Sequence, residues 1–304
     1  MERTGRMAFV SRVRILTLLT MAVIIGACTK EAAPPQEKLE KQEPVAQEAP
    51  RPWAVLYAFG QEGQELIDWT TISGTQTWAG RPIAQGWLVK PVVIAATGIG
   101  MTNAAAATQY VIDTYDPQGI IFTGIAGAID PEFNVGDVVI PDRWVTHDYG
   151  LWDSKGFQTD SVFVGLTDTT GYERYLEIPV DTNLYRRLAE AADIVDFHFR
   201  RAQGMLPSYH AGGVGVSGNA FIASKSKRKQ LHRDLGAVIV DMESAAVVQT
   251  AHAAGIPVAV VRGTSDLAGG GAQSAEEELR ANFEAAAHNA ATVVKQFLEG
   301  PATE

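Results

Sequence analysis

Apolar residues in this chain fall into short continuous runs and do not alternate with polar ones. Trp53–Phe59, Val92–Ala96, Gly119–Gly124, Asp137–Ile140, Gly213–Val216, Ala237–Val240 and Val258–Val261 are such runs. Unbroken Val/Ile/Ala stretches are the pattern of strands buried on both faces. Helical patterns lie between several of them. An alanine-rich stretch runs from Gly100 to about Tyr115, and another helix is predicted over Glu243–Ala254. The last helix is the most regular. Ser274 and Glu277 have capping-box spacing, and Leu279, Phe283, Ala286, Ala290, Val293 and Phe297 then recur every three or four residues until Gly300-Pro301 stops the pattern. Strand and helix in alternation predict a layered α/β domain over 53–299. The stretch Leu151–Leu176 is polar and weakly patterned, and reads as an inserted loop or lid.

The first 52 residues follow other rules. Arg3, Arg6, Arg12 and Arg14 precede thirteen uncharged residues, Ile15–Ala27. That run is too short to span a bilayer, which takes about 20 residues, and it fits the apolar core of a signal peptide. It ends in Ile25-Gly26-Ala27-Cys28, which resembles the lipobox of bacterial lipoproteins. The resemblance implies cleavage of residues 1–27 and diacylation of Cys28, the chain's single cysteine; two acyl chains anchor stably. Thr29 in place of an inner-membrane retention Asp leans towards the outer membrane. Residues 29–52 hold five prolines, many charges and no aromatic residue, the composition of a flexible tether. The expected address is the bacterial cell envelope, lipid-anchored and facing the periplasm.

Charge and composition narrow the chemistry. The formal net charge is −10. Residues 1–27 carry four Arg and one Glu, so the mature chain is near −10 − 3 = −13. No basic stripe of the kind nucleic-acid binding needs is present. One cysteine and six scattered histidines offer neither a disulfide framework nor a metal cluster, so no cofactor or metal is expected. Ligands of open α/β sheets collect beyond the carboxyl ends of strands. Those positions here are Gly60-Gln-Glu62, Thr97-Gly-Ile-Gly100, Thr123-Gly-Ile-Ala-Gly127, Ser217-Gly-Asn-Ala-Phe-Ile222, Asp241-Met-Glu243 and Arg262-Gly-Thr-Ser-Asp266. Singly they have ordinary readings. Ser265 and Asp266 could cap a helix, Glu243 could occupy a helix's first turn, and Phe221 could be core. His147-Asp148 could be a structural strand-end pair or line the mouth of a pocket. Together they bring three carboxylates, a hydroxyl and an aromatic ring to one sheet edge.

The ordered blocks resemble the nucleoside phosphorylase and nucleosidase superfamily, and most nearly the 5′-methylthioadenosine/S-adenosylhomocysteine nucleosidases. Thr97–Gly100, Thr123–Gly127, Asn134–Asp137, Ser217–Ile222, Val240–Glu243 and Arg262–Asp266 carry the likeness. Asn219 and Asp241 stand where those enzymes show Asp and Glu. Gly124–Trp152 is also similar to the plant bark-storage relatives. The resemblance implies a single three-layer domain with a mixed, mostly parallel central sheet. It implies hydrolysis of the N-ribosidic bond of a purine nucleoside without a cofactor, and a homodimer or larger homo-oligomer. By the same resemblance, Asp266 is the acid that protonates the departing base and Glu62 the base that orients water. Arg262 and Thr97 hold that water and Glu62. Glu243 and Met242 meet the ribose hydroxyls, Phe221 stacks on the base, and Ile222 reads its edge, with Ser265 beside the acid. The phosphorylase branch carries arginines in its first loop and near the position of Phe122. Here that loop is Phe59-Gly-Gln-Glu-Gly-Gln-Glu65, which favours water over phosphate. A phosphorylase with other phosphate ligands, or a non-catalytic nucleoside-binding or storage-like lipoprotein, are the alternatives.

Overall fold

The structure is a computed structural model, and it describes residues 50–167, 171–197 and 206–300. The expected signal peptide, Cys28 and most of the expected tether therefore lie outside the described residues. Strand β1 (Trp53–Tyr57) leads into helix α1 (Gly60–Asp68), followed by a meander of β2 (Thr71–Trp78), β3 (Arg81–Leu88) and β4 (Lys90–Ala96). Helix α2 (Met101–Tyr115), strand β5 (Gly119–Ala128) and short strands β6 (Val138–Ile140) and β7 (Arg143–Thr146) come next. Two small hairpins follow, β8 (Gly150–Asp153) with β9 (Gly156–Thr159), and β10 (Val162–Thr167) with β11 (Gly171–Tyr175). The remainder is β12 (Ile178–Pro179), α3 (Thr182–Asp193), β13 (Tyr209–Ala211), β14 (Val214–Ser217), α4 (Lys225–Leu235), β15 (Ala237–Asp241), α5 (Ser244–Ala253), β16 (Val258–Asp266) and α6 (Ala275–Glu299).

Among the described residues, twelve strands share one mixed sheet. Six of its eleven pairings are parallel and five antiparallel. Strand β5 is its hub, buried at all ten positions. One edge of β5 pairs with β16 from Ile120 to Gly127. The other pairs with β1 over Gly119–Phe122, and then with β15 at Gly127 and Ala128. Between those contacts β1 and β15 diverge, and the edge of β5 is open.

Helices cover both faces. Leu66 of α1, Leu184 and Leu188 of α3 and Ala290–Leu298 of α6 pack on one face. Ala104 and Val111 of α2 and Ala245–Val248 of α5 pack on the other. The expected capping box is present on α6: Ser274 Oγ accepts the Glu277 N–H and the Glu277 carboxylate accepts the Ser274 N–H. Three expectations are corrected. Leu151–Leu176, expected as an inserted loop or lid, carries paired strands among its described residues, β8 with β9 and β10 with β11. Strand β16 does not stop at Val261 but continues through Arg262–Asp266, because that segment keeps pairing with β5 and β6. Ser265 and Asp266 are therefore strand residues, not helix caps, and α6 starts only at Ala275.

Gly263 shows how closely α6 lies on β16. A Cβ placed there would come 1.9 Å from the Ala286 carbonyl oxygen and 2.5 Å from its carbon. Backbone cannot yield as a side-chain tip does. Gly263→Ala is expected to cost about 1–3 kcal/mol or more through overpacking, read as a lower urea midpoint; an unchanged midpoint would show that α6 is free to shift.

Candidate active site

The open edge of β5 organises the site. Phe59 caps α1, which puts Glu62 at the third helical position, where a carboxylate can fold back on the chain. One oxygen of Glu62 accepts the N–H groups of Ala58 (2.8 Å) and Phe59 (3.2 Å). The other accepts the Ile125 N–H (2.9 Å), a β5 donor in the gap between β1 and β15. The side chain is buried, and burial pushes its pKa up against the pull of Arg262 and of these N–H donors.

Arg262 projects from β16 into the same gap and is fully buried. Its Nε and Nη2 both lie 2.9 Å from one oxygen of Asp241, and Nη1 donates to the Thr123 carbonyl (3.2 Å). The guanidinium lies over the Phe122 ring, 4.1 Å from its centroid. Glu62 and Glu243 stand farther off, at 3.7 and 3.8 Å. Gly124 is required between them. Its φ is +145°, and a Cβ there would sit 2.3 Å from both Arg262 Nη1 and Glu62 Oε1.

Glu243 occupies the N-cap position of α5 but its side chain makes no cap hydrogen bond. Its Oε1 accepts the Gly100 N–H instead (2.7 Å), tying α5 to the Thr97–Gly100 turn. Burial, and then the charge of Asp241, raise its pKa to about 7. Asp266 ends β16. Its two oxygens accept the Ala268 N–H (2.8 Å) and the Ser265 hydroxyl (2.9 Å). Burial lifts its pKa to about 6, against those two hydrogen bonds. Asp266, Met242, Phe221 and Ile222 line one small cavity of about 20 Å³, with Asp241 and Gly127 in its wall. Phe221 is 42% exposed, so the core reading of that ring fails. Thr97 is buried and adjacent, but its hydroxyl turns to the Tyr57 carbonyl (3.1 Å). It braces β1 against the turn after β4, and backbone donors hold Glu62.

The residues that position this set mostly lie in the motif blocks, but their supporting roles are not legible in the sequence. Asp241 anchors Arg262 and also accepts the Ser217 hydroxyl (2.5 Å) and the N–H groups of Glu243 (3.2 Å) and Ser244 (3.1 Å). The Ser244 hydroxyl lies between Asp241 and Arg262 and bonds both. The Asn134–Asp137 turn grips β16 just ahead of Asp266: Gly136 N–H donates to the Thr264 carbonyl (2.7 Å) and Thr264 N–H to the Asp137 carbonyl (2.8 Å). Asp148 accepts the Asn219 N–H (2.7 Å), and Asn219 accepts the Met101 N–H (3.2 Å). The Asp148 side chain thus supports the Ser217–Ile222 segment. Among the described residues no cluster of His, Cys, Asp and Glu is arranged to hold a metal ion.

The phosphorylase superfamily matches residues 52–299, and the chain belongs to that family. It is 34% identical over 190 residues to a 5′-methylthioadenosine/S-adenosylhomocysteine nucleosidase of Mycobacterium bovis, covering 59% of this chain and 70% of the relative. It is 34% identical over 211 residues to the enzyme of that name from Staphylococcus aureus, covering 69% and 80%. A crystal structure of the Neisseria meningitidis nucleosidase in complex with methylthio-immucillin-A superposes with a TM-score of 0.68 at 25% identity, covering 82% of this chain and 99% of that one.

Asp241 is the test of this architecture. Asp241→Asn removes the nearest of the three carboxylates around Arg262, with Glu62 and Glu243 still at 3.7 and 3.8 Å. It is expected to lose about 1.5–3 kcal/mol in urea unfolding, the scale of hydrogen bonds to charged groups, while Ser217→Ala, which removes one neutral donor, should lose about 1 kcal/mol. Equal losses would mean that Asp241 does not carry Arg262.

Proposed function

We propose that the chain hydrolyses the N-ribosidic bond of purine nucleosides of the 5′-methylthioadenosine and S-adenosylhomocysteine type. One observation carries the reading: Asp266 and Glu62 are both buried and raised in pKa, but Glu62 is held by the Ile125 N–H of β5 and the Ala58 and Phe59 N–H groups, and Asp266 by Ser265 and Ala268 at the end of β16. Asp266 keeps a proton to a higher pH than an ordinary carboxyl and lines the cavity with Phe221 and Ile222. Glu62 sits beside Arg262 with its oxygens aimed by main-chain donors.

In the reaction Asp266 donates its proton to N7 of the base. The C1′–N9 bond breaks, and its electron pair leaves with the base. A water oxygen forms the new bond to C1′, and Glu62 takes the water proton. Glu243 accepts hydrogen bonds from the ribose hydroxyls beside Met242, and Phe221 stacks on the base while the main chain at Ile222 reads its edge. Arg262 orients Glu62 and the water. Phosphate is disfavoured as nucleophile by charge, because the single Arg262 cation already faces Asp241, Glu62 and Glu243.

We further propose that the enzyme is exported and lipid-anchored through Cys28, with residues 29–52 as a tether and a periplasmic site. Self-association into a dimer or larger ring belongs to the same reading. Cys28→Ala is expected to move the protein out of the membrane fraction or leave residues 1–27 attached. Unacylated wild-type protein that retains those residues would contradict the anchor.

Asp266→Asn keeps size but removes the transferable proton. A loss in kcat of about 10²–10⁴-fold is expected, with a smaller change in ligand affinity; Glu62→Gln should fall similarly. The pH dependence has a defined sign. The native carboxyl holds its proton up to about pH 6, whereas the unfolded chain releases it near 3.8. Its contribution to stability is therefore complete below about pH 4 and lost as the pH rises through 6. Asp266→Asn should lack that slope in melting experiments, and wild-type kcat/KM should decline as Asp266 deprotonates. Near-wild-type turnover by Asp266→Asn would remove Asp266 from the chemistry.

A further inference from the structure

Asp266 is followed at once by Leu267-Ala268-Gly269-Gly270-Gly271, and the turn these residues make holds the acid. Ala268 supplies the N–H that one Asp266 oxygen accepts (2.8 Å). It is fully buried, and its φ is +50°, a left-handed conformation that residues other than glycine seldom adopt. Such a conformation persists only where the surroundings impose it. Ala268 also packs in one apolar cluster with Ile222 and Val240, so this turn and the wall of the nucleoside cavity move together.

The constraint comes from α6. Glu278 lies in the first turn of that helix, is buried, and reaches back to the strand end: its Oε2 accepts the Leu267 N–H (2.9 Å). The Gly270 N–H donates to the Leu267 carbonyl (2.8 Å) and closes the turn. Leu267, between the acid and Ala268, is thus gripped at both of its main-chain groups. Arg228 of α4 shuts the outer side. Its Nε and Nη2 donate to the carbonyls of Ile129 and Asp130 (both 3.0 Å), while its Nη1 and Glu278 Oε1 leave no room for a Cβ at Gly270 and Gly271. The reaction proposed above uses neither Glu278 nor Arg228.

We propose that Glu278 is a positioning residue for Asp266, acting through the Leu267 N–H to keep the Ala268 N–H on the acid and its carboxyl group facing the cavity, a role that rests on Asp266 being the acid of the proposed reaction. Glu278 also brings charge. Burial is the main cause of the high pKa of Asp266, and among its charged neighbours Glu278 raises it most, ahead of Glu276 on the same helix. Arg228 on α4 acts on Asp266, Glu278 and Asp130 with the opposite sign, and Asp241 of β15 shares the cavity wall. Loss of the Glu278 charge therefore makes Asp266 give up its proton, and kcat/KM decline, at a lower pH.

Two variants of the full chain separate the effects. Glu278→Gln keeps an acceptor oxygen for the Leu267 N–H but not the charge, and Glu278→Ala keeps neither. The rate and KM for 5′-methylthioadenosine are measured against pH, with melting followed, on the wild-type and Asp266→Asn backgrounds. Glu278→Ala is expected to lower kcat on the order of 10–100-fold on the wild-type background, the scale of a misplaced reacting group, with little change in KM. On the Asp266→Asn background it should lower kcat hardly at all, because the acid it positions is already gone. Glu278→Gln should restore most of kcat at low pH, with the alkaline decline of kcat/KM moved to lower pH. Equal losses on the two backgrounds would show a general structural role and overturn the proposal. So would a Glu278→Ala enzyme of wild-type rate, or a Glu278→Gln enzyme as slow as the alanine variant. Should Glu278→Ala not fold, the Glu278→Gln profile decides alone, and an unmoved alkaline decline would contradict the proposal. Near-wild-type turnover by Asp266→Asn itself would instead remove the acid on which the role rests.

Discussion

Buried main-chain groups have to be paired, and one short stretch of β5 has no strand to pair with. Strand β1 leaves that edge after Phe122, and β15 reaches it only at Gly127. The Ile125 N–H and the Thr123 carbonyl lie between. Glu62 answers the first and Arg262 the second. Charged side chains therefore stand in for a missing strand, and the need for them places a carboxylate and a guanidinium in the sheet interior, at a topological switch point of the kind where α/β sheets bind ligands. Gly124 has to be glycine because these two groups converge on it. Asp241 and Ser244 have to be polar because Arg262 is buried.

The same arrangement fixes the electrostatics. One cation serves three carboxylates, of which Asp241 makes the closest contact and Glu62 and Glu243 the longer ones. Crowding of negative charge adds to burial in lifting Glu243 to about 7. Asp266 lies outside this group; its pKa rises chiefly by burial, next to its own hydrogen bonds from Ser265 and Ala268. In the proposed mechanism Asp266 serves as the acid and Glu62 as the base, two carboxyl groups of the same type held in different company.

Much of this could be read from the chain, and what could not has physical reasons. Buried strands announce themselves as apolar runs, so β1, β4, β5, β15 and the first half of β16 were visible. Strands β2 and β3 were not: β2 is exposed or half-exposed along its whole length, and an edge hairpin in solvent carries little apolar signal. The second half of β16 was hidden because Arg262–Asp266 is polar, yet it is buried by pairing with β5 and β6 and by α6. The blocks holding Glu62, Glu243, Arg262 and Asp266 were identifiable from their positions after apolar runs and their resemblance to known nucleosidases. Asp241 as the anchor of Arg262 was not, since the contact spans 21 positions and joins two strands that do not pair with each other. Thr97 illustrates the converse: its place in a recognisable motif pointed to Glu62, whereas its hydroxyl serves the main chain.

The central claim is that the carboxylate-lined gap in the sheet selects water as the nucleophile. Turnover of 5′-methylthioadenosine in ¹⁸O-labelled water containing saturating phosphate, with mass analysis of the sugar, tests it directly. The account predicts one ¹⁸O atom at C1′ of the free sugar and no sugar phosphate. A sugar 1-phosphate without the label would contradict it.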